Sequence, residues 1–225
     1  LDAEKDWVFG GWIGGTRIGG SAENILRIQN SSIHYFQRPD ADHVEVDPAA
    51  ASLSGWGTRI HLAKQNGRFI WLSSLGVLSP GFNPNDVGYQ AGTSDVINLS
   101  LVPGLNFTEP GKVFQQVLVG AGGFANWDFG GHNVGKGGIL IAEGLFKNFW
   151  FFSFQLFAGA GSLNNRQTRG GPMTWTPGVG NAFLVLGTDG RKKVVLEGSG
   201  GFSEGGRDGR SWNAGLTLRW KPAEG

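Results

Sequence analysis

The sequence contains no cysteine among its 225 residues. This absence excludes a disulfide framework, a thiolate metal site and a cysteine nucleophile. Charge is also scarce, because Lys, Arg, Asp and Glu make up 16% of the chain and the formal net charge is only +1. Such a balanced composition lacks the basic patch that nucleic-acid binding requires, so we expect no nucleic-acid partner.

Long hydrophobic runs are missing as well. The most apolar stretch, Phe149 to Ala158, is interrupted by Ser153 and Gln155, and no run reaches the roughly 18 residues of a membrane-spanning helix. We therefore predict no transmembrane helix. The chain begins at Leu1 without a methionine or a signal-like segment, so we expect a processed or truncated start.

Glycine and large aromatic residues are abundant. The chain has 40 Gly, 16 Phe and 9 Trp, against 2 Tyr and 9 Pro. The glycines follow no collagen-like period, and a disordered Gly-rich linker does not carry so many large rings. The composition therefore indicates a folded domain in which the rings contact an apolar environment.

Apolar residues recur at every second position, as in β-strands. The clearest segment is Ser211 to Trp220, where Trp212 and Trp220 bound a fully apolar face opposite a polar one. Alternation with indole rings at both ends is typical of a membrane strand with one face toward lipid. Because residues 148–158 show a similar face that begins at Trp150, we predict a lipid-facing girdle of Trp212, Trp220 and Trp150.

The same pattern predicts eleven strands and no helix. The predicted strands are 6–14, 23–37, 51–64, 68–78, 93–102, 112–125, 136–146, 149–160, 180–188, 192–202 and 210–221. Tight turns at Asn66-Gly67, Lys147-Asn148 and Asp189-Gly190 suit hairpins. Longer loops lie between them at 38–50, 79–92, 126–135, 161–179 and 203–209.

Short turns that alternate with long loops are typical of outer-membrane barrels, which have periplasmic turns and extracellular loops. We therefore predict an all-β fold, an antiparallel up-and-down transmembrane β-barrel that forms a single domain over residues 1–225. Bacterial barrels normally have an even number of strands and both termini in the periplasm. About eleven to twelve strands are visible, and the eleven that we identify are an odd number. We therefore expect an incomplete portion of a larger barrel that lacks at least one N-terminal strand.

Two polar loops on the same side of this barrel form a candidate interaction cluster. Their carboxylate spacing matches no calcium-binding loop, and a structural loop in which Arg38 pairs with a carboxylate of its own loop is the favoured interpretation. The cluster consists of Gln37, Arg38, Asp40 and Asp42 in the first loop and Phe82, Asn85 and Asp86 in the second.

No catalytic or metal-binding motif is present. The four histidines have no metal-ligand spacing, and the nucleophile-elbow and phosphate-loop motifs are both missing. We therefore expect no metal, no cofactor and no enzymatic activity. Loop 161–179, with Arg166, Arg169 and Trp175, leaves two interpretations open: a sugar-stacking or plug element, or a surface loop with one girdle tryptophan.

Several stretches resemble an uncharacterised bacterial family. They are Ile28-Gln29-Asn30-Ser31-Ser32-Ile33-His34-Tyr35-Phe36-Gln37-Arg38-Pro39-Asp40, then Leu53-Ser54-Gly55, Ser79-Pro80-Gly81-Phe82 and Asn85-Asp86-Val87-Gly88. Over about residues 7–100 the chain resembles domain-of-unknown-function family 5916, usually found C-terminal to a carbohydrate-binding module of the family-nine type. The resemblance implies an outer-membrane barrel of a Gram-negative bacterium, and it implies no catalytic residues.

Three functional hypotheses follow. The first is a bacterial outer-membrane barrel for transport, export or surface anchoring, with membrane lipid as its partner and glycans or another protein chain as further candidates. The alternative is a soluble β-sandwich that binds carbohydrate and buries Trp212, Trp220 and Phe152 between two sheets. A surface hydrolase that uses Asp40 or Glu45 is the least favoured.

Overall fold

A computed structural model describes residues 6–84, 94–206 and 209–222. Twelve strands and one helix, α1 (Ala22–Gln29), follow one another along this part of the chain. The strands are β1 (Trp7–Gly19), β2 (Ser52–Lys64), β3 (Phe69–Leu78), β4 (Val96–Phe107), β5 (Phe114–Trp127), β6 (Asn133–Phe146), β7 (Phe151–Gly159), β8 (Ser162–Asn164), β9 (Thr174–Thr176), β10 (Val179–Gly187), β11 (Val194–Gly205) and β12 (Gly209–Trp220).

Ten strands form one antiparallel sheet in the order β1-β2-β3-β4-β5-β6-β7-β10-β11-β12. Neighbours in the sheet are thus consecutive along the chain except at β7 and β10, between which the small hairpin β8-β9 is inserted. An all-β, antiparallel, up-and-down arrangement is confirmed. The sheet does not close: β1 and β12 are its two edges, and they are not paired with each other.

The period-two pattern determines which residues form the strands. Along β12 the apolar series that includes Leu216 and Leu218 aligns with Gly198 and Leu196 of β11, so the apolar positions of neighbouring strands fall on the same side. The β5–β6 ladder shifts register twice, between Phe114 and Gln116 and again between Asn126 and Trp127. Elsewhere the ladders run in constant register.

The predicted strand at 23–37 is wrong, because this segment begins with helix α1 and continues as a loop. The side chain of Ser21 accepts a hydrogen bond from Asn24 N at the helix start, and Glu23 and Arg27 suit the dipole at the two ends. Ile25 on one helix face is fully buried. These local signals favour a helix over the strand that the aromatic run 33–36 suggested.

Without that strand the count becomes even. The short connections, 65–68, 108–113, 147–150 and 188–193, lie at one end of the sheet, which we call the turn end. Connections 20–51, 79–95 and 160–178 are long and lie at the other end, the loop end. Connection 128–132 and the link between Gly205 and Gly209 also lie there but are no longer than the turns, so the predicted long loops at 126–135 and 203–209 are wrong. Strand β1 starts and β12 finishes at the turn end, whereas the predicted odd count of eleven strands would put the start of the first and the end of the last on opposite sides, so that count is wrong. An odd strand count therefore no longer supports a missing N-terminal strand.

Candidate functional site

The two faces of the sheet differ in chemistry. The register places a continuous series of apolar side chains on one face, which we call the apolar face. Its central members are Phe9 and Ile13 of β1, Ile60 and Leu62 of β2, Leu75 of β3, Leu99 and Leu101 of β4, Val117 and Val119 of β5, Leu140 and Ala142 of β6, Phe154 and Leu156 of β7, Leu184 and Leu186 of β10, Leu196 of β11, and Leu216 and Leu218 of β12.

Charged side chains on this face are confined to its margins. Among the described strand residues they are Arg17, Lys136, Glu204 and Arg210 near the loop end and Lys64 at the turn end. Many of the central apolar side chains are exposed, Ile13 to 80% and Leu216 to 73%. A broad uncharged surface of this kind far exceeds the patches that soluble monomers usually expose.

Tryptophans lie at both margins of the apolar face. Trp7, Trp71 and Trp220 lie near the turn end, and Trp56, Trp127 and Trp212 lie near the loop end. Trp212 and Trp220 are 78% and 69% exposed. Trp150 lies in turn 147–150 at the turn end and is half exposed.

Sequence reasoning named only Trp212, Trp220 and Trp150 and missed the other four. The sequence does contain the signal. Each of the four tryptophans is in step with the apolar residues of its strand and lies within about four residues of a strand end. Two more tryptophans lie elsewhere: Trp12 is on the opposite face, and Trp175 is in loop 160–178.

The opposite, polar face carries a charge at its middle, at Arg59, and further charged or titratable side chains nearer the turn end. Arg59, His61, Glu143 and Glu197 all point to this side of the sheet, together with several serines, asparagines and glycines. Ser74 Oγ and Ser100 Oγ lie 2.8 Å apart across β3 and β4, and Ser153 Oγ donates to Glu143 Oε1 at 3.3 Å. Apolar residues such as Leu72 are interspersed. The face is therefore mixed, unlike its counterpart.

At the loop end the long connections meet in a buried group of side chains that we call the polar loop cluster. Its members are His34, Arg38, His43, Ser94, Asp95, Asp128, Asn165 and Arg166. They come from four different connections. The cluster therefore forms only when these loops fold against one another.

Asp95 lies at the centre of the cluster. Its carboxylate accepts hydrogen bonds from Arg38 Nη2 and from Phe129 N, the latter at 3.0 Å, and lies 2.9 Å from His43 Nε2. Both members of the Arg38–Asp95 pair are almost fully buried. The expectation that Arg38 pairs within its own loop is therefore wrong; its partner lies 57 residues further along the chain.

His34 is buried as a neutral imidazole. Nδ1 lies 2.7 Å from Pro80 O, and Asn83 Nδ2 approaches Nε2 at 3.3 Å, which together assign the proton to Nδ1. Burial lowers the pKa of His34 below its usual 6.5, and the positive charge of Arg166 acts in the same direction. The ring therefore links the first and second loops without carrying charge at neutral pH.

Arg166 reaches into the cluster from loop 160–178. Its Nη1 donates to Ile33 O at 3.0 Å and its Nη2 donates to Ser94 O at 2.8 Å. Burial, followed by the neighbouring charge of Arg38, lowers the pKa of Arg166 to about 10. One side chain thus ties loop 160–178 to connections 20–51 and 79–95.

The loops also lie against the polar face. Phe82 is buried, its ring lies 6.3 Å from that of Trp12, and Asn83 N donates to Thr16 Oγ1. Gly55 permits this approach, since an added Cβ there would lie 2.0 Å from Phe82 N. The small buried core, which includes Ile25, Leu53 and Phe82, therefore lies at the loop end over the polar face.

The other predicted loop residues take separate positions. Gln37 is exposed and donates to Asn30 O, and Asp42 is exposed without a described contact. Asp40 accepts a hydrogen bond from Met173 N in loop 160–178. Asn85 and Asp86 lie outside the described residues. The structure thus brings Arg38, Asp40 and Phe82 into the loop assembly, places Gln37 at its exposed edge against Gly170 of loop 160–178, and leaves Asp42 outside it.

Buried charge in the cluster is compensated internally. Asp128 accepts from His132 N and Asn165 Nδ2, while Asp95 balances Arg38. Five buried side-chain atoms in the described part of the chain have no hydrogen-bond partner, and three of them lie in or beside the cluster: Arg38 Nη1, Asp40 Oδ1 and His43 Nδ1. No group of three or more potential metal ligands occurs in the described part of the chain. The geometry is that of a docking network that holds four loops together.

Within residues 6–84, 94–206 and 209–222, no helix is long and apolar enough to cross a membrane. Comparison of the chain with known protein families, characterised proteins and solved structures finds no match. The resemblance of residues 7–100 to the uncharacterised family therefore stays a prediction.

Proposed function

We propose that the chain is an outer-membrane β-barrel protein of a Gram-negative bacterium, or a portion of a larger barrel, that serves transport, export or surface anchoring. One observation carries this proposal: the apolar face spans ten strands without a central charge and has tryptophans at both margins. Lipid-facing surfaces of membrane barrels have this composition, because charge is costly in hydrocarbon and indole rings favour the headgroup level.

The dimensions agree with a bilayer. Trp212 and Trp220 are eight residues apart on one strand, which at about 3.3 Å per residue and a tilt of about 45° is a height of roughly 19 Å. This is close to the apolar band of about 25 Å that surrounds outer-membrane barrels. The first strand of the sheet begins and the last strand ends at the turn end. This arrangement suits a periplasmic location of the turn end.

A soluble β-sandwich receives less support. That fold requires a second sheet over Trp212, Trp220 and Phe152, which all point to the apolar face. The only other sheet among the described residues is the hairpin β8-β9, of two three-residue strands. We infer that lipid, rather than a second sheet, covers the apolar face.

The polar face and the loops fit a barrel lumen closed at one end. The loop that carries Phe82 lies on the polar face, and Arg166 ties the other loops to it. In the proposed barrel this assembly acts as a plug that restricts access to the polar face from the loop end. Passage of a solute or an exported chain then depends on displacement of the polar loop cluster.

A pair of charge substitutions on β12 tests the membrane proposal. Leu216 and Thr217 are adjacent and both exposed, but they point to the apolar and polar faces, respectively. We expect Leu216→Arg to destabilise the protein in lipid vesicles by about 2–4 kcal/mol, because the guanidinium enters hydrocarbon. Thr217→Arg is the matched control, since it places the same charge on the polar face opposite Glu197.

Folding of both variants into vesicles is measured by heat-modifiable gel migration and by urea titration. Equal stability of the two variants, together with wild-type protein that stays monodisperse in buffer without detergent, contradicts the proposal. That outcome favours a soluble fold, in which two exposed positions tolerate arginine equally well.

A further inference from the structure

Charge is distributed unequally between the two ends of the sheet. The four turns and the flanking residues 6 and 221–222 contain seven cations and three carboxylates. The cations are Arg68, Lys112, Lys147, Arg191, Lys192, Lys193 and Lys221, and the carboxylates are Asp6, Glu109 and Asp189. In the described long connections at the loop end, acidic residues outnumber basic ones.

Two neighbouring turns at the positive end line a solvent-open cavity of about 640 Å³. Turn 147–150 contributes Phe149 and Trp150, turn 188–193 contributes Arg191 and Lys192, and β11 contributes Val194 and Leu196. The last two belong to the apolar face. The cavity therefore has cations at its outer rim and continues onto the apolar surface of the sheet.

Arg191 is held in place at this rim. Its Nε and Nη2 donate to the two carboxylate oxygens of Asp189, each at 2.8 Å, and its guanidinium lies 3.3 Å from the centre of the Phe149 ring. Nη1 donates to no described group, and the side chain is 62% exposed. A fixed guanidinium with a free N–H edge is well suited to bind a phosphate oxygen.

More positive charge surrounds the same turn. Lys221 Nζ donates to Gly190 O at 2.6 Å, and Lys192 and Lys193 follow Arg191 directly and are exposed. Asp189 is the only carboxylate in turn 188–193, so four cations face one anion. This excess of positive charge adds little to the binding energy of a neutral headgroup, whereas it adds substantially to the binding energy of an anionic one.

We propose that the cavity between turns 147–150 and 188–193 binds an anionic phospholipid, with its phosphate at Arg191 and Lys192 and its acyl chain along Val194 and Leu196. This inference rests on the proposed membrane function, because it requires lipid at the apolar face. It adds a specific partner for the turn end, namely a phospholipid with net negative charge.

Native mass spectrometry of the detergent-solubilised protein tests the proposal with phosphatidylglycerol and phosphatidylcholine of identical acyl chains. We expect the protein to retain phosphatidylglycerol preferentially. Because one surface cation contributes about 1 kcal/mol toward an anionic lipid, Lys192→Gln should lower this retention about fivefold. Lys112→Gln, which removes the same charge from another turn at this end, should leave it unchanged. The double variant Asp189→Asn with Arg191→Gln removes the fixed guanidinium without leaving a lone buried charge, and it should also lower the retention of phosphatidylglycerol.

Equal retention of the two lipids overturns the proposal, as does an equal loss in the Lys112→Gln control. Displacement of phosphatidylglycerol by inorganic phosphate also overturns it, because the cavity then binds free phosphate rather than lipid. Failure of the membrane proposal has a different signature, which is protein that stays monodisperse without detergent. A protein that folds into vesicles but shows no lipid preference contradicts only the inference drawn from the cavity.

Discussion

His34 couples the packing of the loops to pH. Its folded-state pKa lies below the unfolded value of 6.5, so the unfolded chain binds a proton more readily than the folded one. The stability that neutral His34 contributes is therefore fully present above about pH 6.5 and is lost as the pH falls toward the lower folded-state pKa. Protonation places a second positive charge beside Arg166, inside a network that has no spare carboxylate for it.

We predict that His34→Gln reduces the loss of stability between about pH 7 and about pH 5, because glutamine has no charged form. Limited proteolysis of loop 30–51 and thermal unfolding, each at both pH values, measure the effect. His61→Gln is the control, since His61 is an exposed residue of β2 outside the cluster. The prediction is contradicted if loop 30–51 of the wild-type protein resists proteolysis equally at both pH values. It is also contradicted if His61→Gln reduces the pH-dependent loss of stability as much as His34→Gln does.

Residue contacts at the loop end show where sequence reasoning stops. The alternation of long and short connections placed the two polar loops on one side, and the described residues 38–50 and 79–84 do lie at the same end of the sheet. The partners were not predictable, since Arg38 and Asp95 are 57 residues apart and no periodicity relates them. Arg166 was grouped with a third loop, and nothing in the sequence indicated that it would cap the carbonyls of Ile33 and Ser94.

At the scale of elements, period-two alternation predicted all ten strands of the main sheet. It failed at 23–37, which begins with the short helix α1 and continues as a loop. The aromatic and apolar residues of that loop have a pattern similar to that of a strand. Ser21, Glu23 and Arg27 are helix-end signals that the strand prediction ignored. The rings of this loop pack against one another, His34 and Phe36 with centres 5.8 Å apart, and His34 also contacts Pro80 O of the next long connection.

Glycine has an element-level role where β4 and β5 approach closely. An added Cβ at Gly122 would lie 2.0 Å from Leu101 O and 2.6 Å from Val102 Cα, so no side chain fits there. The β4–β5 ladder is interrupted at the same place, between the Leu101↔Gly123 and Gly104↔Gly120 pairs, beside Pro103. Proline offers no N–H for pairing, and the strands approach without hydrogen bonds at this point.

We predict that Gly122→Ala destabilises the sheet by about 3 kcal/mol or more, because the backbone of β4 must move to make room. Gly76→Ala is the control, since an added Cβ at that strand position meets nothing within 4 Å. The folded yield in detergent, followed by circular dichroism and gel migration, compares the two variants. Similar yields for both variants would show that the close approach at Gly122 is not required.

At the scale of the whole molecule, three features agree with one orientation of the sheet in the proposed membrane. They are the apolar face, its two tryptophan margins and the unequal charge of the two ends. In the proposed membrane orientation, the positive turn end would meet headgroups on one side and the docked loops would close the other. Among residues 6–84, 94–206 and 209–222, neither edge strand has a partner on its outer side, and every residue of β12 is exposed. We propose that further pairing at β1 and β12, within this chain or with additional strands, completes the barrel.

Depth-dependent fluorescence quenching tests this orientation. Six of the nine tryptophans lie at the margins of the apolar face, so we expect lipids brominated near the headgroup to quench the emission of vesicle-bound protein more than lipids brominated near the chain ends. Trp12 and Trp175 dilute the effect, because one points to the polar face and the other lies in a loop. Replacing both by Phe should therefore increase the quenched fraction. A soluble fold gives the opposite result, with strong quenching by aqueous acrylamide and none by brominated lipid, since its exposed indoles contact water rather than acyl chains.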